Sequence, residues 1–308
     1  LKTKVLVFGA DGQVGTSFKR IEAKVCSLLN AEVFYSTHLG TSSGEIACDA
    51  TDLKAVTSLV RSINPQIIIN CAAYTAVDKS ETDQEVCLKL NRDFPGHLAY
   101  LCKSTDAFLV HYSTDYVFDG SGSTPWREGD APQPVNFYGL TKLEGEKAVQ
   151  QNTPRHLIIR TQWVYSDHGH NFVKTMLRLA KERSELKVVG DQIGAPTSSD
   201  LIANLTTELL VPILRDQNLA GIYNLSASGE VSWHGFAEAI FKGWRKLGGT
   251  LAVNTVQSIT TDQLPTPAKR PFNSRLNLSK LESVLQKKNP SWQQVLEPVL
   301  KKLFDQGF

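Results

Sequence analysis

Lys4-Val5-Leu6-Val7-Phe8-Gly9-Ala10-Asp11-Gly12-Gln13-Val14-Gly15 is the stretch on which the fold turns. A short apolar run breaks into glycines and opens directly into Val14 to Leu29, where hydrophobic residues recur at helical intervals. That is a strand, a tight turn and a helix. A dinucleotide pyrophosphate must come close to backbone N–H groups at a helix N-terminus, and a Cβ at Gly9, Gly12 or Gly15 would stand in its way. In this geometry Gln13 and Val14 offer amides. The same trio also serves a strand-to-helix turn that binds nothing, so by itself it is weak evidence.

Working outward, two periods alternate. Strand-like runs at Glu32 to Tyr35, Ile46 to Cys48, Ile67 to Asn70 and Phe108 to Tyr112 are separated by helical patterns at Leu53 to Ile63, Asp83 to Leu90 and Pro95 to Lys103. Short apolar strands joined by amphipathic helices predict a parallel sheet covered on both faces, the Rossmann-like, doubly wound α/β class. Beyond about residue 165 the pattern loosens. Helices are expected at Asn171 to Lys181, Asp200 to Leu210, Trp233 to Leu247, Ser279 to Gln286 and Trp292 to Phe304, with strands at Leu186 to Val189 and Gly221 to Leu225. The expected division is an NAD(P)-binding domain over 1–165, with a return excursion around 192–226, and a smaller, mainly substrate-binding α/β domain over 166–308.

The 308 residues are 41% hydrophobic and 21% charged, which is ordinary globular usage and excludes a disordered chain. A formal charge of +2 gives no broad basic field, so nucleic acid is not the expected partner. The longest apolar runs are too short to cross a bilayer, and the start of the chain does not resemble a signal peptide. The five cysteines form no C-x-x-C pair and read as reduced core thiols of a cytoplasmic protein. His168 and His170 have no third ligand near them, and no metal site is expected.

Tyr138-Gly139-Leu140-Thr141-Lys142 sets a phenol and an ammonium on one helical face. A carbonyl reductase needs a proton donor at the substrate oxygen, and a neighbouring cation draws a phenol toward working pH. An exposed helix pairing tyrosine with lysine looks the same. Support comes from Val110 to Gly120, an apolar strand that ends in the hydroxyls Ser113 and Thr114 where open α/β sheets bind ligands. Asp49 stands where an adenine edge would lie, or caps a turn. The second strand ends Tyr35-Ser36-Thr37-His38 without the carboxylate that repels a 2′-phosphate, which leans the cofactor toward NADPH, or toward indifference between NADPH and NADH.

These segments, together with Ala72 to Lys79, Arg160 to Tyr165, Asp191 to Thr197 and Pro265 to Leu276, resemble the extended short-chain dehydrogenase/reductase superfamily, and within it the dTDP-4-dehydrorhamnose reductases. The resemblance implies reduction of the 4-keto group of dTDP-4-dehydro-β-L-rhamnose (dTDP-6-deoxy-L-lyxo-4-hexulose) to dTDP-L-rhamnose by NADPH or NADH, a step toward lipopolysaccharide or another cell-wall polysaccharide. By position it makes Tyr138 the proton donor, Lys142 its helper on the ribose and Thr114 the hydroxyl at the keto oxygen. It places Asp115 and Trp163 against the substrate, and Asp49, Ala50, Ala73, Tyr74, Thr75 and Tyr112 along the cofactor.

A nucleotide diphosphate sugar carries negative charge and a flat base, so its site wants cations and stacking surfaces. Arg270 and Asn273, with Ser274 and Arg275, lie in an irregular segment placed to meet the diphosphate, which is equally a solvated loop. Some family members hold a divalent ion at a dimer contact through an acid two positions after the third glycine. Ser17 stands there in this chain, which is expected to act as a monomer or homodimer without that ion. Two alternatives stay open: a nucleotide-4-ketosugar reductase of other C4 stereochemistry, such as one giving a 6-deoxytalose, and a non-catalytic protein like the methionine adenosyltransferase regulatory subunit.

Overall fold

The computed structural model describes residues 2–40 and 44–308. Strands β1 (Thr3–Phe8), β2 (Ala31–Thr37), β3 (Ile46–Ala47), β4 (Ile67–Asn70), β5 (Phe108–Thr114) and β6 (His156–Thr161) belong to one sheet. The shorter β7 (Val164–Tyr165), β8 (Glu185–Val189), β9 (Ile193–Gly194) and β10 (Thr197–Ser198) follow. β11 (Gly221–Asn224) returns to the main sheet, and β12 (Val231–Ser232) and β13 (Thr255–Ile259) complete the set. The main sheet has seven strands in the order β3-β2-β1-β4-β5-β6-β11, all pairings parallel. The order reverses between β1 and β4, and ligands of such sheets bind beyond the carboxyl ends of the strands at that point.

The helices are α1 (Gln13–Arg20), α2 (Glu22–Leu29), α3 (Leu53–Ile63), α4 (Gln84–Leu88), α5 (Phe94–Thr105), α6 (Phe137–Asn152), α7 (Phe172–Glu182), α8 (Ser199–Arg215), α9 (Trp233–Lys246), α10 (Ser279–Leu285) and α11 (Trp292–Asp305). One apolar layer joins the sheet to α1, α2, α8 and α10 through Phe18, Val25, Ile202, Leu209 and Leu281. The other joins it to α3, α5 and α6 through Val56, Val60, Phe94, Leu98 and Val149. With both faces covered, the central strands are apolar throughout: Ile67, Ile68 and Ile69 are at most 1% exposed. Each such side chain contributes about 1.5–3 kcal/mol of burial. A separate cluster packs α7, α9 and α11 around Phe236, Ile240, Trp244 and Leu300.

The helix expected over Val14 to Leu29 is two helices. Ile21 (φ −102°, ψ 17°) ends α1 and caps α2, so that Phe18 of the first and Val25 of the second both reach the layer under α8. The strand β13, absent from the sequence reading, pairs parallel with β8 but exposes most of its residues, which erases the alternation that would announce it. Among the described residues no helix is long and apolar enough to cross a membrane.

Candidate active site

Beyond β1 and β4 opens a cleft of about 480 Å³, lined by Gly9, Gly12, Asp49, Ala50 and Ala73 among others. Gly12 caps α1 without a side-chain acceptor, so the first amides of the helix keep no intrahelical partner. Gly15 packs this helix onto the turn: a Cβ there would lie 2.2 Å from the Gly9 carbonyl oxygen. A glycine-capped helix end facing a long cleft fits a dinucleotide, whose phosphates take up such amides. The Gln13 side chain turns elsewhere, accepting from Ser166 at 2.8 Å and Asn171 at 3.1 Å, and Val14 joins the core, so both present only their backbone at the turn.

Of the two sequence readings of Asp49, the structure shows the turn. Its carboxylate accepts from the Thr51 amide and hydroxyl, both at 2.8 Å, which closes a turn and holds its pKa below the usual range. It also lines the cleft, 3.8 Å from His38, which the sequence reading did not select. Tyr74 anchors the next loop: its amide donates to Asn91 at 2.9 Å and its hydroxyl to Asp83 at 2.7 Å. Thr75 is exposed on that loop.

Tyr138 lies in the first turn of α6, which Asn136 caps by accepting from the Gly139 amide at 2.7 Å. Its half-buried ring meets Tyr116 edge-on at 5.7 Å. Burial raises the phenol's pKa, the Asp115 carboxylate raises it further, and a hydrogen bond with Thr114 works in the opposite sense. Thr114 donates to Asp115 Oδ1 at 3.1 Å and accepts from the Tyr116 amide at 3.2 Å. Asp115 is itself pushed up to about 7, by burial first, with Ser274 and Thr114 opposing.

Lys142 is 2% exposed and donates to the carbonyl of Tyr112 at 2.5 Å; burial brings its pKa down to about 8. From the sequence, this ammonium is expected to draw the phenol's pKa down. In the structure the forces on the phenol are burial and Asp115, and both hold its proton on. Tyr112 contributes through that carbonyl, since its hydroxyl donates to Thr206 at 2.9 Å.

On the substrate side, Arg270 pairs with Asp78 at 2.9 Å and bears on the Tyr116 hydroxyl, which ties the irregular segment to the cofactor loop. Asn273 does not stand ready for a diphosphate. It is 2% exposed, its amide donates to the carbonyls of Ser121 and Thr124, and its oxygen accepts from Arg275. It clamps a loop. Trp163 stacks on Trp233, with ring centroids 3.5 Å apart. Trp233 was missed in the sequence; its one signal is an aromatic residue directly after the N-cap Ser232. Ser17 is buried and bonds to Ser199 and Asp200.

Comparison with known proteins follows the same lines. A family model described as the RmlD substrate binding domain matches residues 3–304. The dTDP-4-dehydrorhamnose reductase of Salmonella typhimurium is 44% identical over 300 residues, covering 97% of this chain and 98% of its own. A crystal structure of such a reductase from Clostridium acetobutylicum aligns with a TM-score of 0.86 at 37% identity, over 98% of this chain and 100% of that one. Another from Bacillus anthracis, in complex with NADP, aligns with a TM-score of 0.84 at 32% identity and the same coverage. The cleft, the Tyr138 centre and this end-to-end similarity converge: the chain belongs to the RmlD substrate-binding-domain family.

Proposed function

We propose that this chain reduces the 4-keto group of dTDP-4-dehydro-β-L-rhamnose to dTDP-L-rhamnose, with Tyr138 as the proton donor. The observation that carries the assignment is the phenol at the carboxyl edge of β5, its proton held on by burial and Asp115, on a chain similar from end to end to reductases of that name. Bound in the cleft, NADPH or NADH supplies the hydride that reaches the carbonyl carbon. The amides of Gln13 and Val14 and the turn glycines hold its phosphates, Asp49 and Ala50 take the adenine end, and Ala73 to Thr75 line the nicotinamide side. Tyr138 gives its proton to the keto oxygen as charge develops there, while Thr114 orients that oxygen with a hydrogen bond. Lys142 fixes the Tyr112 peptide and meets the ribose. Asp115, Trp163 and Arg270 receive the nucleotide sugar, the guanidinium facing the diphosphate. The enzyme works in the cytoplasm as a monomer or homodimer.

The test is incubation with the ketosugar and each nicotinamide cofactor, followed by NMR of the product. Formation of dTDP-L-rhamnose is expected. A 6-deoxytalose product, or no oxidation of either cofactor, overturns the assignment.

A further inference from the structure

Left-handed backbone at a bulky residue is strain that the surroundings must hold in place. Among the described residues, Asn30, Asn64, Asp106, Trp163 and Gln286 are the non-glycine positions with positive φ. Four of them close the last turn of a helix. Trp163 (φ 47°) caps nothing; it follows β6 by two residues.

Its indole lies flat on that of Trp233, with the planes 9° apart and the centroids at 3.5 Å. Aromatic pairs left to themselves prefer offset or edge-on arrangements with centroids roughly 4.5–7 Å apart. Full overlap is therefore imposed by the neighbours. The Trp233 indole N–H donates to Gln192 Oε1 at 3.2 Å, and the Gln192 amide donates to Thr261 at 3.1 Å. Phe172 packs against Trp233 at 4.6 Å. Gly194 gives the pair its room, because a Cβ there would lie 2.7 Å from the Trp163 ring.

The stack is also wired to the proton-donating centre. Gly194 neighbours Ile193, whose carbonyl accepts from the Ser274 amide at 2.8 Å, and Ser274 in turn bears on the Asp115 carboxyl, opposing the rise in its pKa. One peptide of β9 thus connects the indole pair with the carboxyl group that acts on Tyr138.

We infer that Trp233 is a positioning residue for the sugar. It covers one face of the Trp163 indole and holds the opposite face as a fixed wall for the C–H-rich side of the 6-deoxyhexose. An indole free to rotate would have to be ordered at each binding event, and the stack removes that cost beforehand. The inference rests on the reductase reading and adds to it a residue that no substrate atom need touch.

The experiment compares wild type with Trp233→Ala and Trp233→Phe. For Trp233→Ala, KM for the ketosugar rises roughly tenfold while kcat stays within about threefold. The Kd for NADPH, read by fluorescence, is unchanged. Trp233→Phe recovers most of the lost KM. The wild type shows an indole–indole exciton couplet in circular dichroism that both variants lose. An unchanged KM in Trp233→Ala overturns the inference, as does a wild type without the couplet, or a loss of NADPH affinity parallel to the loss of KM. Failure of the wild type to turn over the ketosugar overturns the reductase reading instead.

Discussion

Thr114 donates to the Asp115 carboxyl at 3.1 Å, and the two bear on the Tyr138 phenol in opposite senses, the Asp115 charge raising its pKa on top of burial and Thr114 lowering it. The phenol is thereby kept protonated, the state a donor needs before the carbonyl oxygen acquires charge. Tyr138→Phe keeps the ring and removes the proton. Turnover is expected to fall by about 10²–10⁴-fold, the usual worth of a positioned acid, with the NADPH Kd unchanged. Steady-state kinetics and a fluorescence titration check both halves, and near-wild-type turnover would dismiss Tyr138 as the donor.

Asp115 carries a cost in stability. Its folded pKa of about 7 lies above the unfolded value near 3.9, so the folded state binds the extra proton between these limits. Stability therefore declines as pH rises through that window and levels off above it. Asp115→Asn removes the decline. The variant should gain melting temperature over wild type progressively from pH 4 to pH 7, with no further gain at pH 8. A constant difference across that range would contradict it.

Asp167 shows the opposite sign. Burial pushes its pKa up, but the Arg20 guanidinium, bonded to both oxygens at 2.5 and 2.9 Å, prevails and holds it well below the usual carboxylate range. Its contribution is present above the unfolded pKa and is lost as pH falls below about 4. Arg20→Met should cost about 1–3 kcal/mol at neutral pH, less than breaking a fully buried pair because Arg20 is 35% exposed. The gap between the two proteins should narrow in acid. Urea melts at pH 7 and pH 3 measure it.

Gly15→Ala puts a methyl 2.2 Å from the Gly9 carbonyl oxygen and 2.6 Å from Ala10 Cα, both backbone atoms with nowhere to move. A loss above about 2 kcal/mol is expected, together with loss of NADPH binding. An unchanged melting temperature would show the helix sits less tightly on the turn.

The cofactor half was legible because its strands are buried on both faces and therefore read as plain apolar runs, Ile67 to Asn70 most clearly. The break at Ile21 was not, since no proline or glycine marks it and the hydrophobic period runs on across it. Two-residue strands such as β7 and β9 are too short to have a period at all. Of the site, the glycine turn and the Tyr138–Lys142 pair stood out because each needs a fixed spacing along the chain. The Trp163–Trp233 stack joins residues seventy positions apart, and the bonds that consume Asn273 reach back to residues 121 and 124. Neither leaves a local trace.

The return of the chain to lay β11 beside β6 stitches the late residues into the early ones. A fragment cut after residue 165 would expose the outer edge of β6 as a bare ladder and lose α8, which roofs one side of the sheet. The nucleotide-binding half is thus not a detachable module but a partner in one knitted whole, and any opening or closing over the sugar must bend around several crossings of the backbone instead of swinging on a single tether.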